Sequence, residues 1–239
     1  MTKTGEKIKK PSKNYFQNAN MVDYNPFAKT FAQSRKNLKW PELDAILEDI
    51  ERNNFQTILD IGCGSGRFVE NYLAKFGEIP KKYIGVDASE NLLLEARTSF
   101  PNTQFIISTM QDYLAKFGEE SVYINIEEKY KAIIFLASFH HLENETERIR
   151  VLKNAGKILA SNGKIYLTNW NLLGQEKYQK NHIGNNDFQI KIGEFIRYYH
   201  GFSLKEIENI AEKSGLSIEK NILFEGGRNI FTILCHEIK

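Results

Sequence analysis

Five short apolar runs alternate with stretches of helical periodicity, and this alternation constrains the fold more than any other feature. Continuous apolar character is typical of strands that are buried on both faces of a parallel sheet. Two more apolar runs, 216–224 and 228–236, flank Gly226 and Gly227 and predict a β-hairpin. We therefore expect an α/β fold with a doubly wound, mostly parallel sheet and a C-terminal antiparallel strand pair. The predicted parallel strands are 55–60, 82–87, 103–108, 131–137 and 163–169.

Helix starts are marked by their ordinary signals. Pro41 suits the first helical position, and Leu43, Ile46, Leu47 and Ile50 follow at the spacing of one buried face. The periodicity of 144–160 predicts a second helix. Ser203 and Glu206 form a capping box that predicts a third.

Length and charge indicate one domain with a basic N-terminus. The chain has 239 residues and a formal net charge of +2, but five lysines and one glutamate fall within the first fifteen residues. We expect residues 1–20 to be a disordered basic tail and 21–239 to be a single domain, with 21–52 folding over it as a lid. The tail is either a solvated terminus or a weak phosphate-seeking arm.

Cysteine usage and hydropathy bear on location. Two cysteines, Cys63 and Cys235, are too few for a disulfide framework or a metal cluster. We see neither an apolar targeting segment nor a run of the roughly 20 apolar residues that a spanning helix needs. These features favour a cytoplasmic protein that holds no metal and contacts no membrane.

The stretch ILDIGCGSGRF, residues 58–68, predicts a nucleotide-binding corner. A strand ending at Asp60 is followed by glycines at 62, 64 and 66 and then by a helix. Glycines permit positive φ and let a ligand touch the backbone, and the helix N-terminus offers free N–H groups. The dinucleotide fingerprint would need glycine where Arg67 stands, and the G-K-[ST] of a P-loop is absent.

DIGCGSG (60–66) and YIGVDAS (83–89) resemble the first two motifs of the class I S-adenosylmethionine-dependent methyltransferases. The resemblance implies S-adenosyl-L-methionine as cofactor and S-adenosyl-L-homocysteine as product. It implies that Asp87 accepts the ribose hydroxyls and that Asp60 holds the ammonium, although Asp60 could instead cap the turn. The cofactor-binding residues that it implies are Asp60, Gly62, Cys63, Gly64, Gly66, Asp87, Ala88, Thr109, Met110 and Ala137.

One departure from that family concerns the adenine. STMQDY (108–113) corresponds to the segment that brackets the adenine, but Thr109 stands where the family often has an acidic residue. The threonine hydroxyl could accept weakly from the adenine amino group, or Met110 or Gln111 could supply the contact. FLASFHHLE (135–143) matches the segment beneath the methionine end.

Three further segments, 31–41, 139–172 and 197–215, resemble the tRNA wobble-uridine carboxymethyl methyltransferases. The resemblance implies a tRNA carboxylate as acceptor. It implies that Arg35 anchors the acceptor or closes the site, that His140 and His141 line it, and that Trp170, Arg197, Tyr198 and His200 shape the substrate side. The candidate catalytic residues are Arg35, His140, His141, Tyr198 and His200.

Each candidate also has a structural explanation. Arg35 could form a surface ion pair, His140 could be a satisfied structural histidine, and Tyr198 could be a core aromatic. The small net charge weakens the tRNA interpretation, since a protein that grips an anticodon stem usually shows a basic face. The alternatives are a small-molecule methyltransferase, similar to the quinone-biosynthesis enzymes, and a non-catalytic cofactor-binding regulator. An activating protein partner is compatible with the sequence but is not indicated by it.

Overall fold

Seven strands form one mixed sheet in the computed structural model, which describes residues 40–118, 129–192 and 195–237. The sheet order is β3-β2-β1-β4-β5-β10-β9, in which the first five strands are parallel and β10 is antiparallel to both of its neighbours. The predicted fold class is therefore confirmed, including the C-terminal antiparallel pair. The strands are β1 (Thr57–Ile61), β2 (Lys82–Asp87), β3 (Gln104–Ile107), β4 (Tyr130–Leu136), β5 (Leu159–Trp170), β6 (His182–Gly184), β7 (Asp187–Ile192), β8 (Phe195–His200), β9 (Ser217–Leu223) and β10 (Asn229–Cys235).

The helices begin close to their predicted starts. Pro41 is the first residue of α1. The Ser203 hydroxyl accepts a hydrogen bond from the Glu206 amide at 3.1 Å, so Ser203 caps its helix as expected. The helix predicted at 144–160 is slightly shorter, because Asn144 is its cap and Leu159 already belongs to β5. The helices are α1 (Pro41–Arg52), α2 (Arg67–Phe76), α3 (Glu90–Ser99), α4 (Met110–Ala115), α5 (Glu145–Ile158) and α6 (Leu204–Lys213).

Both faces of the large sheet are covered, which explains the continuous apolar character of its strands. On one face, side chains such as Leu59 and Phe135 pack against α4, α5 and α6. On the other, side chains such as Ile58 and Tyr166 pack against α1, α2 and α3. Polar side chains that can contact a ligand are therefore expected at the ends of the strands.

A second, three-stranded antiparallel sheet of β6, β7 and β8 was not predicted. Its own small core contains Leu172, Phe188, Ile190 and Tyr199. The sequence does contain a signal for it, because DFQIKI (187–192) alternates polar and apolar residues. The turn before it uses Asn185 and Asn186 at φ values of 52° and 62°, the backbone region that asparagine tolerates.

Several expectations lie outside the described residues: the basic tail 1–20, the first part of the lid segment, 21–39, and Arg35 within it. The described part of the lid segment consists of Trp40 and α1. No helix in the ranges that the structure describes is long and apolar enough to cross a membrane.

Candidate functional site

A cleft opens at the carboxyl ends of β1, β2, β4 and β5, where the sheet order reverses between β1 and β4. Ligands bind at this position in open α/β sheets, because the loops diverge there to opposite faces. The structure brings most of the predicted residues to the walls of the cleft. They are Asp60, Gly62, Cys63, Gly64, Asp87, Ala88, Thr109, Met110, Ala137, His140, His141 and Tyr198. Gly66 caps α2 just behind this wall, at a φ of 86°.

The glycine loop passes very close to the end of β4. Gly62 has a φ of +78°, and a Cβ built on it would lie 2.4 Å from the Ser138 Cβ. The Ser138 hydroxyl in turn donates to the Ile61 carbonyl at 2.6 Å. Gly64 also has a positive φ, +56°, but its nearest neighbour would be a Leu92 methyl group at 3.9 Å. Of these two glycines, Gly62 is therefore the one that both its backbone conformation and the lack of space for a Cβ require.

We expect Gly62→Ala to destabilise the fold by at least about 2 kcal/mol, because the strained φ and the overlap with Ser138 act together. Gly64→Ala is the matched control, since it carries the positive φ without the overlap, and should cost about 1 kcal/mol. Urea unfolding of both variants measures the difference. Equal destabilisation would show that the overlap is relieved by movement of Ser138.

Asp87 at the end of β2 is held by the backbone. Its Oδ2 accepts from the Gly64 amide at 2.9 Å and its Oδ1 from the Ser89 amide at 2.8 Å. Burial raises the pKa of this carboxyl, and the amides oppose that rise. Each carboxylate oxygen keeps a further lone pair, so Asp87 can accept two hydroxyl groups from a ligand in the cleft.

Asp60 at the end of β1 is 1% exposed. Its Oδ2 accepts from the Tyr83 hydroxyl at 2.7 Å, while its Oδ1 has no hydrogen-bond partner in the part of the chain that the structure describes. Burial raises its pKa to about 7, the Tyr83 hydroxyl opposes the rise, and the charge of Asp87 adds to it. A buried acceptor without a donor is costly. Asp60 is therefore suited to receive a donor or a cation from a ligand.

Thr109 lines the cleft but uses its hydroxyl elsewhere. The hydroxyl accepts from the Asp112 amide at 3.0 Å and donates to the Asp112 carboxylate at 2.8 Å. These bonds cap α4. Of the three residues considered for an adenine contact, Met110 and Gln111 therefore remain the better candidates, and both line the cleft.

His141 and His140 lie side by side at the end of β4, and both line the cleft. His141 Nδ1 is 3.0 Å from the Tyr198 carbonyl, which can only accept, so the proton is on Nδ1 and Nε2 carries the lone pair. Burial lowers the pKa of His141 to about 4, with the Tyr198 bond opposing. His141 is thus neutral near pH 7. His140 Nδ1 instead accepts from the Trp170 amide at 3.4 Å.

Arg197 places a buried guanidinium in the wall of the cleft. The residue is 8% exposed, and its guanidinium carbon lies 5.5 Å from the centre of the Tyr199 ring. Burial lowers its pKa to about 10, and Tyr199 opposes the shift, so the group stays charged near pH 7. The Tyr199 ring stacks on the Trp170 ring, with 5.0 Å between the ring centres. This stacking fixes the Tyr199 ring against the Arg197 guanidinium.

His200 is not among the residues that line the cleft, and its ring lies between two carboxylates. Its Nδ1 and Nε2 both lie 2.7 Å from carboxylate oxygens, of Asp187 and Glu206 respectively. The Tyr198 hydroxyl donates to the same Asp187 oxygen at 2.7 Å, and Arg148 pairs with Glu206 at 3.4 Å. We call these five residues the His200 cluster. It holds β8 against α5 and α6. Tyr198 is among the residues that line the cleft, but its hydroxyl is used in the cluster.

Two cleft residues were missed as functional candidates from the sequence. Arg67, the first residue of α2, places its guanidinium carbon 4.8 Å from the centre of the Trp40 ring. Both side chains line the cleft. A signal was available in each case, because Trp40 directly precedes the helix-starting Pro41 and Arg67 directly follows the glycine loop.

The chain matches one protein family and is similar in sequence to several methyltransferases. The profile of the family described as "Methyltransferase domain" matches residues 29–221. A tRNA (carboxymethyluridine(34)-5-O)-methyltransferase of Arabidopsis thaliana is 25% identical over 147 residues, which cover 62% of this chain and 31% of that protein. A trans-aconitate 2-methyltransferase of Afipia carboxidovorans is 30% identical over 80 residues, covering 34% of this chain and 30% of that protein. The chain thus spans about a third of the length of each of these relatives.

Solved structures share the fold. A S-adenosylmethionine-dependent methyltransferase from Clostridium acetobutylicum superposes with a TM-score of 0.64 at 17% identity, covering 90% of this chain and 99% of that one.

Proposed function

This chain belongs to the methyltransferase domain family, and from that membership we propose that it transfers the methyl group of S-adenosyl-L-methionine to a carboxylate oxygen, that of a carboxymethyl group on a tRNA uridine. The methyl donor follows from the family and from the fit of the cleft. One observation, the buried guanidinium of Arg197 in the cleft wall, supports a carboxylate acceptor.

The donor fits the glycine-loop end of the cleft. Asp87 has two oxygens fixed by backbone amides and free to accept from a ribose diol. The buried Asp60 Oδ1 is matched by an α-ammonium, which would supply both the donor and the positive charge that this oxygen lacks among the described residues. Gly62 and Gly64 keep the loop thin enough for the ligand to approach the backbone.

Arg197 favours an anionic, planar acceptor. A guanidinium presents N–H donors in a fork that matches a carboxylate, and pairing is strong where water is excluded. The stack of Trp170 and Tyr199 holds the fork in one orientation. The substrates in the names of both relatives, carboxymethyluridine and trans-aconitate, are carboxylates.

The chemistry then needs alignment and no proton transfer. When bound, the cofactor supplies a methyl group on a positively charged sulfur. The acceptor oxygen forms its bond to that carbon as the carbon–sulfur bond breaks, and the electron pair stays on sulfur, giving a methyl ester and S-adenosyl-L-homocysteine. A carboxylate is already ionised, so no general base is needed. The protein contributes orientation through Arg197, and the stacked Trp170 and Tyr199 rings exclude water beside it.

Two acceptor classes share this chemistry. Three ordered segments that resemble the tRNA wobble-uridine enzymes support a tRNA carboxylate. The net charge of only +2 favours the second candidate, a small carboxylic acid, because a tRNA-binding protein usually carries more basic surface. We rank tRNA first because its three segments lie in the same order as in that family.

A pH and salt series tests the proposal. The assay uses saturating labelled donor and a tRNA whose 5-carboxymethyluridine is not yet esterified. We expect the rate of methyl transfer to be constant between pH 6 and 8. The acceptor is ionised throughout that window, and His141, whose pKa is lowered to about 4, is neutral throughout it. Burial raises the pKa of Asp60 to about 7, but the ammonium of the saturating donor favours the ionised carboxylate and moves that titration below the window. We also expect the rate to fall steeply with salt, since each phosphate contact releases a counterion.

The other outcomes discriminate between acceptors. A phenolic acceptor such as a quinol would give a rate that rises about tenfold per pH unit as the phenol ionises. A small carboxylic acid would give the flat pH profile with little salt dependence. Absence of label in tRNA at every salt concentration, with added cell extract included, would contradict the tRNA assignment.

A further inference from the structure

One ring nitrogen of His141 has no role in the chemistry derived so far. The Nδ1–H group donates to the Tyr198 carbonyl at 3.0 Å, so the lone pair is on Nε2. Nε2 has no hydrogen-bond partner within the ranges that the structure describes, and it is not one of the fully buried unpaired atoms. Since His141 lines the cleft, this lone pair is open to a ligand there.

The environment of His141 makes Nε2 a hydrogen-bond acceptor and a poor base. The Tyr198 carbonyl keeps the ring proton on Nδ1, so Nε2 does not become a donor while the ring is neutral. Burial lowers the pKa of His141 to about 4, whereas an ordinary phenol has a pKa of about 10. A base that weak has little capacity to take a proton from a phenol, but its lone pair still accepts a hydrogen bond.

His141 and Arg197 contact the same aromatic ring. The centre of the His141 ring lies 4.6 Å from the centre of the Tyr199 ring, and the Arg197 guanidinium carbon lies 5.5 Å from that centre. All three residues line the cleft. This side of the cleft therefore offers a cation and a neutral lone pair to one ligand. A ligand that matches both has a carboxylate and, close to it, an N–H or O–H donor.

This pair of groups discriminates between the two acceptor classes. A polycarboxylic acid without a hydroxyl group is ionised near pH 7 and presents only acceptor oxygens, so it would leave the His141 Nε2 unpaired or facing another lone pair. A uracil ring keeps its imide N3–H at this pH. A 5-carboxymethyluracil therefore supplies both the carboxylate for Arg197 and the donor for His141.

We propose that His141 Nε2 accepts a hydrogen bond from the imide N–H of the acceptor's uracil ring while Arg197 binds its carboxylate, which makes His141 a specificity-determining residue. His141 selects carboxylic acids that carry an N–H donor near the carboxylate against those that carry none. The inference rests on the proposed function, because it assumes that the cleft methylates a carboxymethyl group on a uridine.

The test blocks the donor on the substrate and removes the lone pair from the protein, separately and together. Single-turnover kinetics with saturating S-adenosyl-L-methionine compare two anticodon stem-loop RNAs on the full chain, one with 5-carboxymethyluridine and one with its N3-methyl derivative. The ratio of the two kcat/KM values measures the preference for a free N3–H. We expect this preference to fall about 10- to 100-fold in His141→Phe. The phenyl ring keeps the shape without the lone pair, so the steric penalty of the N3-methyl group is common to both proteins.

Matched variants check the role of the lone pair. His141→Gln places an amide oxygen near the position of Nε2 and should keep most of the preference. The affinity for S-adenosyl-L-homocysteine should stay within about threefold in both variants, since the proposed donor contacts come from other residues. If His141→Phe binds no S-adenosyl-L-homocysteine, the His141→Leu variant makes the same comparison.

The results that overturn the inference differ from those that overturn the proposed function. An equal preference in the unaltered protein and in His141→Phe shows that the lone pair does not meet the N3–H. A rate that rises with pH in the unaltered protein, but not in His141→Phe, makes His141 a base instead. Turnover of trans-aconitate, which has no N–H or O–H donor near pH 7, as efficient as that of the RNA also overturns the inference. If the unaltered protein methylates neither RNA, the proposed acceptor itself fails.

Discussion

Replacing Arg197 with alanine lowers kcat/KM for the carboxylate acceptor about 100-fold, because loss of one partner from a desolvated charge pair costs about 2–5 kcal/mol. The affinity for S-adenosyl-L-homocysteine stays within about twofold, since the proposed donor contacts come from the glycine loop and the end of β2. Single-turnover kinetics for the acceptor and calorimetry for the cofactor product measure the two effects separately.

Arg197→Lys is the matched control. It keeps the positive charge but loses the planar fork and the stacking on Tyr199, so we expect an intermediate rate. An Arg197→Ala variant that loses cofactor affinity as strongly as acceptor turnover would move Arg197 to the donor side. Full activity in that variant would exclude Arg197 from recognition of the acceptor.

Replacing His200 with alanine lowers the free energy of unfolding by about 2–4 kcal/mol, because it leaves the carboxylates of Asp187 and Glu206 without the ring that both of them contact. The side chains of Asp187 and Glu206 are 22% and 25% exposed, so both carboxylates keep some contact with solvent. We therefore expect a smaller loss of unfolding free energy than for a fully buried pair. Urea unfolding followed by fluorescence measures the change.

His182→Ala is the control for this variant, since His182 is exposed on β6 and its removal should change stability by no more than about 0.5 kcal/mol. Because the His200 cluster anchors the strand that carries Arg197, His200→Ala should also raise the acceptor KM more than it weakens binding of S-adenosyl-L-homocysteine. Unchanged stability in His200→Ala would show that the two carboxylates are satisfied by other groups.

Local signals were sufficient for the main sheet and for the glycine-loop end of the cleft. Buried parallel strands are apolar throughout, and each ends where its loop must turn, so Asp60 and Asp87 could be placed at strand ends from the sequence. Pro41 and Ser203 also marked their helices, because capping depends on the few residues at a helix start.

The small sheet escaped prediction although β7 and β8, with 6 residues each, are as long as β2 of the main sheet. β7 is buried only at alternate residues, so it lacks the continuous apolar run that identifies the strands of the main sheet. Its consequence for the site was equally hidden, since side chains alternate between the two faces of a strand and the pairing decides what each face meets. Arg197 and Tyr199 alternate along β8 with Tyr198 and His200, whose side chains both contact Asp187 across the strand pair.

The sequence by itself determined the class of fold, the glycine loop and the position of Asp60 and Asp87 near strand ends, because these depend on hydrophobic periodicity and on contacts between neighbours in the chain. The tertiary structure alone decided the polar environment of the cleft and of the residues around it. Arg67 meets Trp40, Arg197 meets Tyr199 on Trp170, and His200 meets Glu206 only after the chain has folded. Burial, which leaves His141 neutral and Asp60 short of a donor among the described residues, is a property of that packing and of no single segment.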